Sequence, residues 1–447
     1  MSSHFLRAAL LVSAVALVPA ATAGIASADL TVNRDIERFV SVYERVKGDY
    51  VEKVSDEQLI KGAIDGMLAS LDPHSSYLDA RDFKQMQITT DGNYGGLGLV
   101  VSMEDGAVKV VAPQEDSPAS KKGIKPGDFI THLDGKLLYG GTLDEAVEQM
   151  RGVPGTSIRL TIVRPGRDKP FDVTVKRQVI EIKPVKWEIK DGVGIINING
   201  FSKQTGQMTR AAVVSIEKAL GRKPMGYVID LRSNPGGLLD QAVEVSDVFL
   251  DRVEVVSQRG RDRRDIERYF AKPGDFAEGL PIVVLVDSGS ASAAEIVAGA
   301  LQDHHRALVM GERTFGKGSV QTLIPLDETS ALRLTTARYY TPSGRSVQEG
   351  GIEPDITVPQ LSDPDYKTRP RFREVDLGRH LINEAKVDNS VLEADDTPDP
   401  RFKATPEELK AKGIEDFQLH YALQTVARLG KSRLAAAAPS PRKPARR

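Results

Sequence analysis

The sequence predicts a multi-domain protein built on an α/β core, preceded by a short helical region and by a compact β-rich unit with one amphipathic helix. Three observations carry this reading. Residues 227–231 and 282–286 are continuous apolar runs of the kind a sheet covered on both faces requires, and each leads through small residues into a helix-periodic stretch. Residues 91–178 instead show paired glycines, short strands and recurrent turn signals such as Lys125-Pro126-Gly127-Asp128. Residues 33–70 carry apolar side chains at helical spacing.

A chain of 447 residues has room for two or three domains. Its 40% hydrophobic and 27% charged residues are ordinary for a globular protein. Lys+Arg 60 against Asp+Glu 62 gives no net charge that would favour nucleic acid. The absence of cysteine excludes a disulfide framework, a thiolate metal site, a cysteine nucleophile and a lipid anchor on cysteine. The seven histidines show no H-x-x-x-H spacing that would hold a metal, and no organic cofactor is expected.

Residues 1–28 read as an export signal. Arg7 supplies the positive start, residues 8–18 an apolar run, and Ala26-Ser27-Ala28 the small residues of a cleavage site, with Ala21-Thr22-Ala23 a second cut. Pro19 keeps the run below the roughly 20 residues of a membrane span. The expected location is therefore periplasmic or secreted.

Residues 29–90 form the N-terminal helical region. Phe39, Val42, Tyr43 and Val46 mark one face, Leu59, Ile60, Ala63 and Met67 another, and Ser55 with Gln58 makes a capping box. This region suits packing or dimerisation better than chemistry. Residues 91–178 form the β-rich unit, with strands at 107–111, 129–133, 157–163 and 171–175. Thr142 and Glu145 cap its helix, whose apolar face is Leu143, Ala146, Val147 and Met150. Residues 179–360 form the α/β core, with helices near 238–249 and 293–301. Residues 361–433 are charged and weakly helical, and the basic tail 434–447 is too poor in large apolar groups to fold alone.

The glycines of Tyr94-Gly95-Gly96-Leu97-Gly98-Leu99 let several N–H groups converge on one point, a nest suited to a carboxylate. Leu97, Leu99 and Val147 would form a pocket for the last side chain of a peptide that extends the following strand. Glycines alone would indicate only a turn. Together with the strand and the later helix, the segment Gly92 to Lys176 resembles a PDZ domain, a family that binds protein C-termini.

In Asp287-Ser288-Gly289-Ser290-Ala291-Ser292-Ala293-Ala294-Glu295, small residues at a strand-to-helix turn expose a hydroxyl at a helix N-terminus. Any of the three serines could merely cap the helix. Thr314-Phe315-Gly316-Lys317-Gly318-Ser319-Val320-Gln321 sets one lysine among glycines and apolar residues. Desolvation there would lower its pKa from about 10.4 towards the ~7–8 useful to a general base.

The two segments, with Ser292 and Lys317 separated by 25 positions, resemble the carboxyl-terminal processing peptidases, also called tail-specific proteases. The resemblance runs from about Ile36 to Val358. It includes Leu71-Asp72-Pro73-His74-Ser75-Ser76-Tyr77-Leu78, Asp230-Leu231-Arg232-Ser233-Asn234-Pro235-Gly236-Gly237, Thr341-Pro342-Ser343-Gly344-Arg345 and Gly351-Ile352-Glu353-Pro354-Asp355. It implies an α/β protease core of crotonase- or Clp-protease-like β-β-α units, with an inserted or preceding PDZ domain. It assigns the nucleophile to Ser292, the general base to Lys317, lysine positioning to Gln321, and the oxyanion hole to the N–H groups of Gly237 and Ala293. Peptide binding falls to Gly96, Leu97, Gly98, Leu99 and Val147. Arg151 matches a basic position that couples tail binding to assembly of the active site; a solvated helix-end arginine is the plainer alternative. Ala294 stands where the family often has a further serine.

The implied partners are protein substrates with free apolar C-termini, with self-association through the terminal helical regions and an adaptor protein as further expectations. Three rival readings remain at this point. A Ser–His–Asp enzyme would need His304 or His305, about twelve residues and roughly 18 Å along the helix from Ser292. An inactive PDZ scaffold should have lost Ser292 or Lys317, and both are present. An acyl-CoA enzyme rests on fold analogy alone and leaves the PDZ unit idle.

Overall fold

The computed structural model describes residues 20–437 except 105, 139, 263, 367, 386–398 and 400, with side chains from residue 32 to residue 432. Residues 1–19 of the expected export signal and residues 438–447 of the expected basic tail therefore lie outside the described residues. The chain divides into two compact units, Met1–Ser70 and Leu71–Arg447.

The first unit holds α1 (Ala20–Asp49) and α2 (Asp56–Ala69). Ser55 caps α2 in the capping box its spacing predicts, and Lys47 pairs with Asp56 at 2.7 Å beside the turn. Ile36, Phe39, Val42 and Val46 of α1 stay exposed, an apolar face that this unit does not bury. Among the described residues no helix is long and apolar enough to cross a membrane.

The second unit opens with β1 (Ser76–Leu78) and α3 (Ala80–Asp91), capped by Asp79. A β-rich body follows: β2 (Asn93–Gly96), β3 (Leu99–Glu104), β4 (Ala107–Pro113), α4 (Pro118–Lys121), β5 (Phe129–Leu133), β6 (Lys136–Leu137), α5 (Leu143–Met150), β7 (Ser157–Val163), β8 (Phe171–Lys176) and β9 (Gln178–Glu181). Its sheet runs β3-β4-β5-β7-β8, with β6 on β5, and the β2–β9 pair closes its neck. Val108, Ile130, Ile158 and Leu160 pack with Ala146 and Met150 of α5 in a core of its own. Because β1, upstream of this body, pairs with a late strand of the core, the body is an insertion rather than a preceding domain.

The core continues with β10 (Val185–Lys190), β11 (Val193–Ile198), α6 (Thr205–Leu220), β12 (Tyr227–Asp230), α7 (Leu239–Asp247), β13 (Glu254–Arg259), β14 (Ile266–Phe270), β15 (Ile282–Val286), α8 (Ala293–Asp303), β16 (Leu308–Gly311), β17 (Ser319–Pro325), β18 (Ala331–Tyr340) and β19 (Ile356–Thr357). The main sheet has the order β10-β11-β12-β15-β16-β19, parallel throughout except for β10. Its strands explain the apolar runs. Ile282, Val284 and Val286 face α6, α7 and α8, while Val283 and Leu285 face the opposite layer. That layer is α10 (Phe417–Ala437), which follows α9 (Pro406–Ala411) and contributes Ala422, Leu423 and Val426. The weakly helical C-terminal region is thus part of the core, and α10 reaches into the stretch expected to be tail.

A second sheet, β1-β18-β13-β14 with β17 on β18, stands beside the first. It and α6 are absent from the sequence reading.

Candidate active site

Three neighbouring parallel strands, β12, β15 and β16, deliver their C-terminal turns to one place, where open α/β sheets collect ligands. The turn after β12 brings Gly236 and Gly237. Asn234, fully buried, shapes it by donating to Ile198 O at 2.7 Å and accepting from Gly236 N at 2.9 Å. A Cβ on Gly236 would fall 2.9 Å from Ser292 Cβ and 3.0 Å from Ala293 N, so only glycine allows this approach. The N–H groups of Gly237 and Ala293 accordingly lie on facing turns.

The turn after β15 carries Ser292 at the N-terminus of α8. Ser290 is committed to structure, its Oγ donating to Leu231 O at 2.8 Å. Ser292 pairs with Glu295 in a capping box and sits at φ 53°, ψ −114°, a conformation that non-glycine residues adopt under strain. A half-buried hydroxyl on a strained strand-to-helix turn is the geometry of an exposed nucleophile.

The turn after β16 carries Lys317. Burial lowers the pKa of its amine, and the Arg333 charge lowers it further, against the weaker pull of Glu374, Glu295 and Asp72. Among the described residues, neither Ser292 Oγ nor any other acceptor is hydrogen-bonded to this amine. Gln321, expected to position Lys317, donates its Nε2 instead to Ser319 Oγ at 3.0 Å and Thr335 Oγ1 at 3.2 Å. Free catalytic sites often hold such bonds long until substrate enters.

Glu295 joins the two turns. Fully buried in α8, its carboxylate accepts from Ser292 N at 2.7 Å, Lys317 N at 3.0 Å, Gly316 N at 2.7 Å and Thr314 Oγ1 at 2.5 Å. Burial pushes its pKa up to about 7 while these donors oppose the rise. Tyr339 OH lies against the carbonyl oxygens of Ser292 and Lys317. The sequence reading missed Glu295, although its spacing from Ser292 is that of a capping box, the signal that marks it.

His304 sits at the far end of α8 with Nε2 on Glu254 O at 2.7 Å, a structural contact. His74 meets the buried Glu374 at 2.9 Å. A polar cavity of about 490 Å³ lies beside the turns, lined by Asp230, Arg232, Asp287 and Arg371. It contains neither Ser292 nor Lys317. Its arginines are paired, Arg232 with Asp230 and Asp416 and Arg371 with Glu312, so it belongs to the scaffold.

In the inserted body, a groove of about 120 Å³ runs between β3 and α5, lined by Gly96, Leu97, Gly98, Leu99, Val147 and Arg151 among others. β3 is an edge strand. The carbonyls of Leu97 and Gly98 accept from Ala119 N and Gln114 N at 3.0 and 2.8 Å, which fixes the turn that opens the groove. Gly98 has φ 72°, and a Cβ there would lie 2.3 Å from Ser117 Cβ. Arg151 stacks over Tyr94 at 4.9 Å and donates to Gln85 of α3 at 2.6 Å.

The model of peptidase family S41 matches residues 192–358, that of the PDZ domain residues 95–175, and that of the activating protease CtpB N-terminal domain residues 16–82. A carboxy-terminal-processing protease of Bartonella bacilliformis is 52% identical over 335 residues, 75% of this chain and 77% of the relative. The carboxy-terminal processing protease CtpB of Bacillus subtilis is 37% identical over 378 residues, 82% of this chain and 77% of the relative. With the family model matched over the α/β core and relatives matched along most of their length, the chain belongs to the carboxy-terminal processing proteases of peptidase family S41 and is a serine-type peptidase.

Proposed function

We propose that this peptidase engages free apolar C-terminal tails of protein substrates in the groove between β3 and α5 and cuts their chains by a Ser–Lys mechanism. The observation that carries the mechanism is Lys317, whose amine is depressed in pKa by burial and whose backbone N–H shares the Glu295 carboxylate with the N–H of Ser292. Neutral Lys317 takes the proton of Ser292, and the alkoxide attacks a peptide carbonyl. The N–H groups of Gly237 and Ala293 receive the oxyanion. The ammonium then protonates the leaving amine, and water hydrolyses the acyl-enzyme.

Tail recognition draws support from the edge strand, the apolar lining and the glycine turn, the arrangement for adding a peptide strand and holding its carboxylate. Arg151 is suited to couple the groove to the core. It contacts Gln85 on α3, and Phe83 of the same helix packs on Leu78 of β1 and Ala331 of β18. The apolar run and small residues expected to form an export signal over residues 1–28 support a periplasmic or secreted home for the mature enzyme. The exposed apolar face of α1 favours self-association, and an adaptor remains part of the reading.

Degradation of one model protein with and without an apolar free tail, by native enzyme and by Ser292→Ala, tests the proposal. Tail-dependent loss with native enzyme alone is expected. Equal loss of the tailless protein, or turnover by Ser292→Ala, contradicts it.

A further inference from the structure

Asp72, just ahead of β1, does more than add its charge to the surroundings of Lys317: it is bonded to Thr335 of β18 across 263 positions of sequence. Asp72 is 4% exposed and accepts from His74 N at 2.8 Å, Ser75 N at 2.9 Å, Ser75 Oγ at 2.7 Å and Thr335 Oγ1 at 3.1 Å. Burial acts to raise its pKa, but the bonds from Ser75, His74 and Thr335 bring it below the ordinary carboxylate value. Asp72 is therefore ionised, and an ionised carboxylate only accepts.

The proton polarity of the whole chain follows from that. Thr335 has one hydroxyl proton, and Asp72 takes it. Thr335 Oγ1 can then only accept from Gln321, so the amide must offer Nε2 to it, at 3.2 Å. Ser319 Oγ also faces Nε2, at 3.0 Å. With both amide protons engaged, Oε1 is the end left over.

We propose that the Asp72–Thr335 pair is a positioning device that locks the Gln321 amide with its oxygen, rather than its NH2, available to Lys317. This rests on the Ser–Lys reading. A carbonyl oxygen accepts an N–H from the amine and leaves the nitrogen lone pair for the proton of Ser292. A reversed amide would donate into that same lone pair and disable the base. The device is rigid. Ser75 Oγ accepts Thr335 N at 3.1 Å, and β1 pairs with β18 through Ser76↔Arg333, Tyr77↔Leu332 and Leu78↔Ala331.

Steady-state cleavage of a tailed substrate by the full chain and its variants is the test. Thr335→Val keeps the shape and the strand propensity but removes the hydroxyl, and should lower kcat about 10- to 100-fold with KM unchanged. Thr335→Ser restores the hydroxyl and should recover most of the loss. Asp72→Asn frees the polarity by offering an NH2 to Thr335. It should lower kcat likewise and move the rising limb of the pH profile down, since Arg333, Glu374 and Glu295 then face Lys317 without the Asp72 charge. Native kcat and pH profile in Thr335→Val, with Ser292→Ala and Lys317→Ala inactive, would overturn the device alone. Turnover by Lys317→Ala would overturn the Ser–Lys reading with it. Where Thr335→Val folds poorly, Asp72→Asn decides by the same criteria.

Discussion

Glu295 takes the backbone N–H of Lys317 at 3.0 Å on Oε2, the same carboxylate oxygen that takes the N–H of Ser292 at 2.7 Å. One buried carboxylate thus sets the spacing between the Ser292 turn and the Lys317 loop, which follow different strands. Geometry of this kind fixes the two backbones and leaves the side chains of Ser292 and Lys317 free to move.

Glu295→Gln should therefore cost both stability and rate. The amide turns an NH2 towards donors, and each N–H left unpaired costs about 1–3 kcal/mol. The pH dependence has a definite sign. The folded pKa of about 7 lies above the ordinary 4.5, so the contribution of this group is fully present below pH 4.5 and is lost as pH rises through 7. Denaturant unfolding from pH 4 to 8 should show that slope in the native enzyme and not in Glu295→Gln.

Ser292 sits at φ 53°, and strain of this type costs about 1–3 kcal/mol. Ser292→Gly should release part of it and melt higher than Ser292→Ala, with neither variant turning over. Equal melting temperatures would argue against stored strain at the nucleophile.

Lys317→Arg should be as inactive as Lys317→Ala, losing the ~10²–10⁴-fold of a general base, because a guanidinium does not deprotonate. Around the amine, Arg333 lowers the lysine pKa and Glu374 raises it. Arg333→Met should move the rising limb of kcat/KM to higher pH, and Glu374→Gln to lower pH. Shifts in the same direction would contradict a lysine base at this position.

In the inserted domain, amidating the last residue of a bound tail peptide should weaken affinity about 10- to 100-fold, the worth of hydrogen bonds to a charged group. Calorimetry with acid and amide peptides measures it. Arg151→Ala should leave peptide affinity near native but reduce cleavage of tailed protein, if the contact with Gln85 transmits binding.

The legible part of this molecule is contiguous in sequence. Ser292 with its small neighbours, Lys317 among glycines, the capping boxes at Ser55 and Thr142, and the apolar strand runs all announce themselves within ten residues. What stayed hidden is assembled across the chain. Asp72 meets Thr335 over 263 positions and His74 meets Glu374 over 300, and no local pattern encodes such pairs. Strands β13, β14, β17 and β18 interleave polar and apolar residues without a regular two-residue period, so their alternation is faint. Glu295 could have been read from its capping-box spacing, but its burial depends on the loop that folds over it.

The most direct measurement is the pH dependence of Ser292 acylation by a serine-reactive probe in native enzyme and in Lys317→Met. A proton-accepting amine predicts labelling that rises with pH through one ionisation below the ordinary lysine value of 10.5 and vanishes in the variant. Labelling of Lys317→Met at the native rate would contradict it.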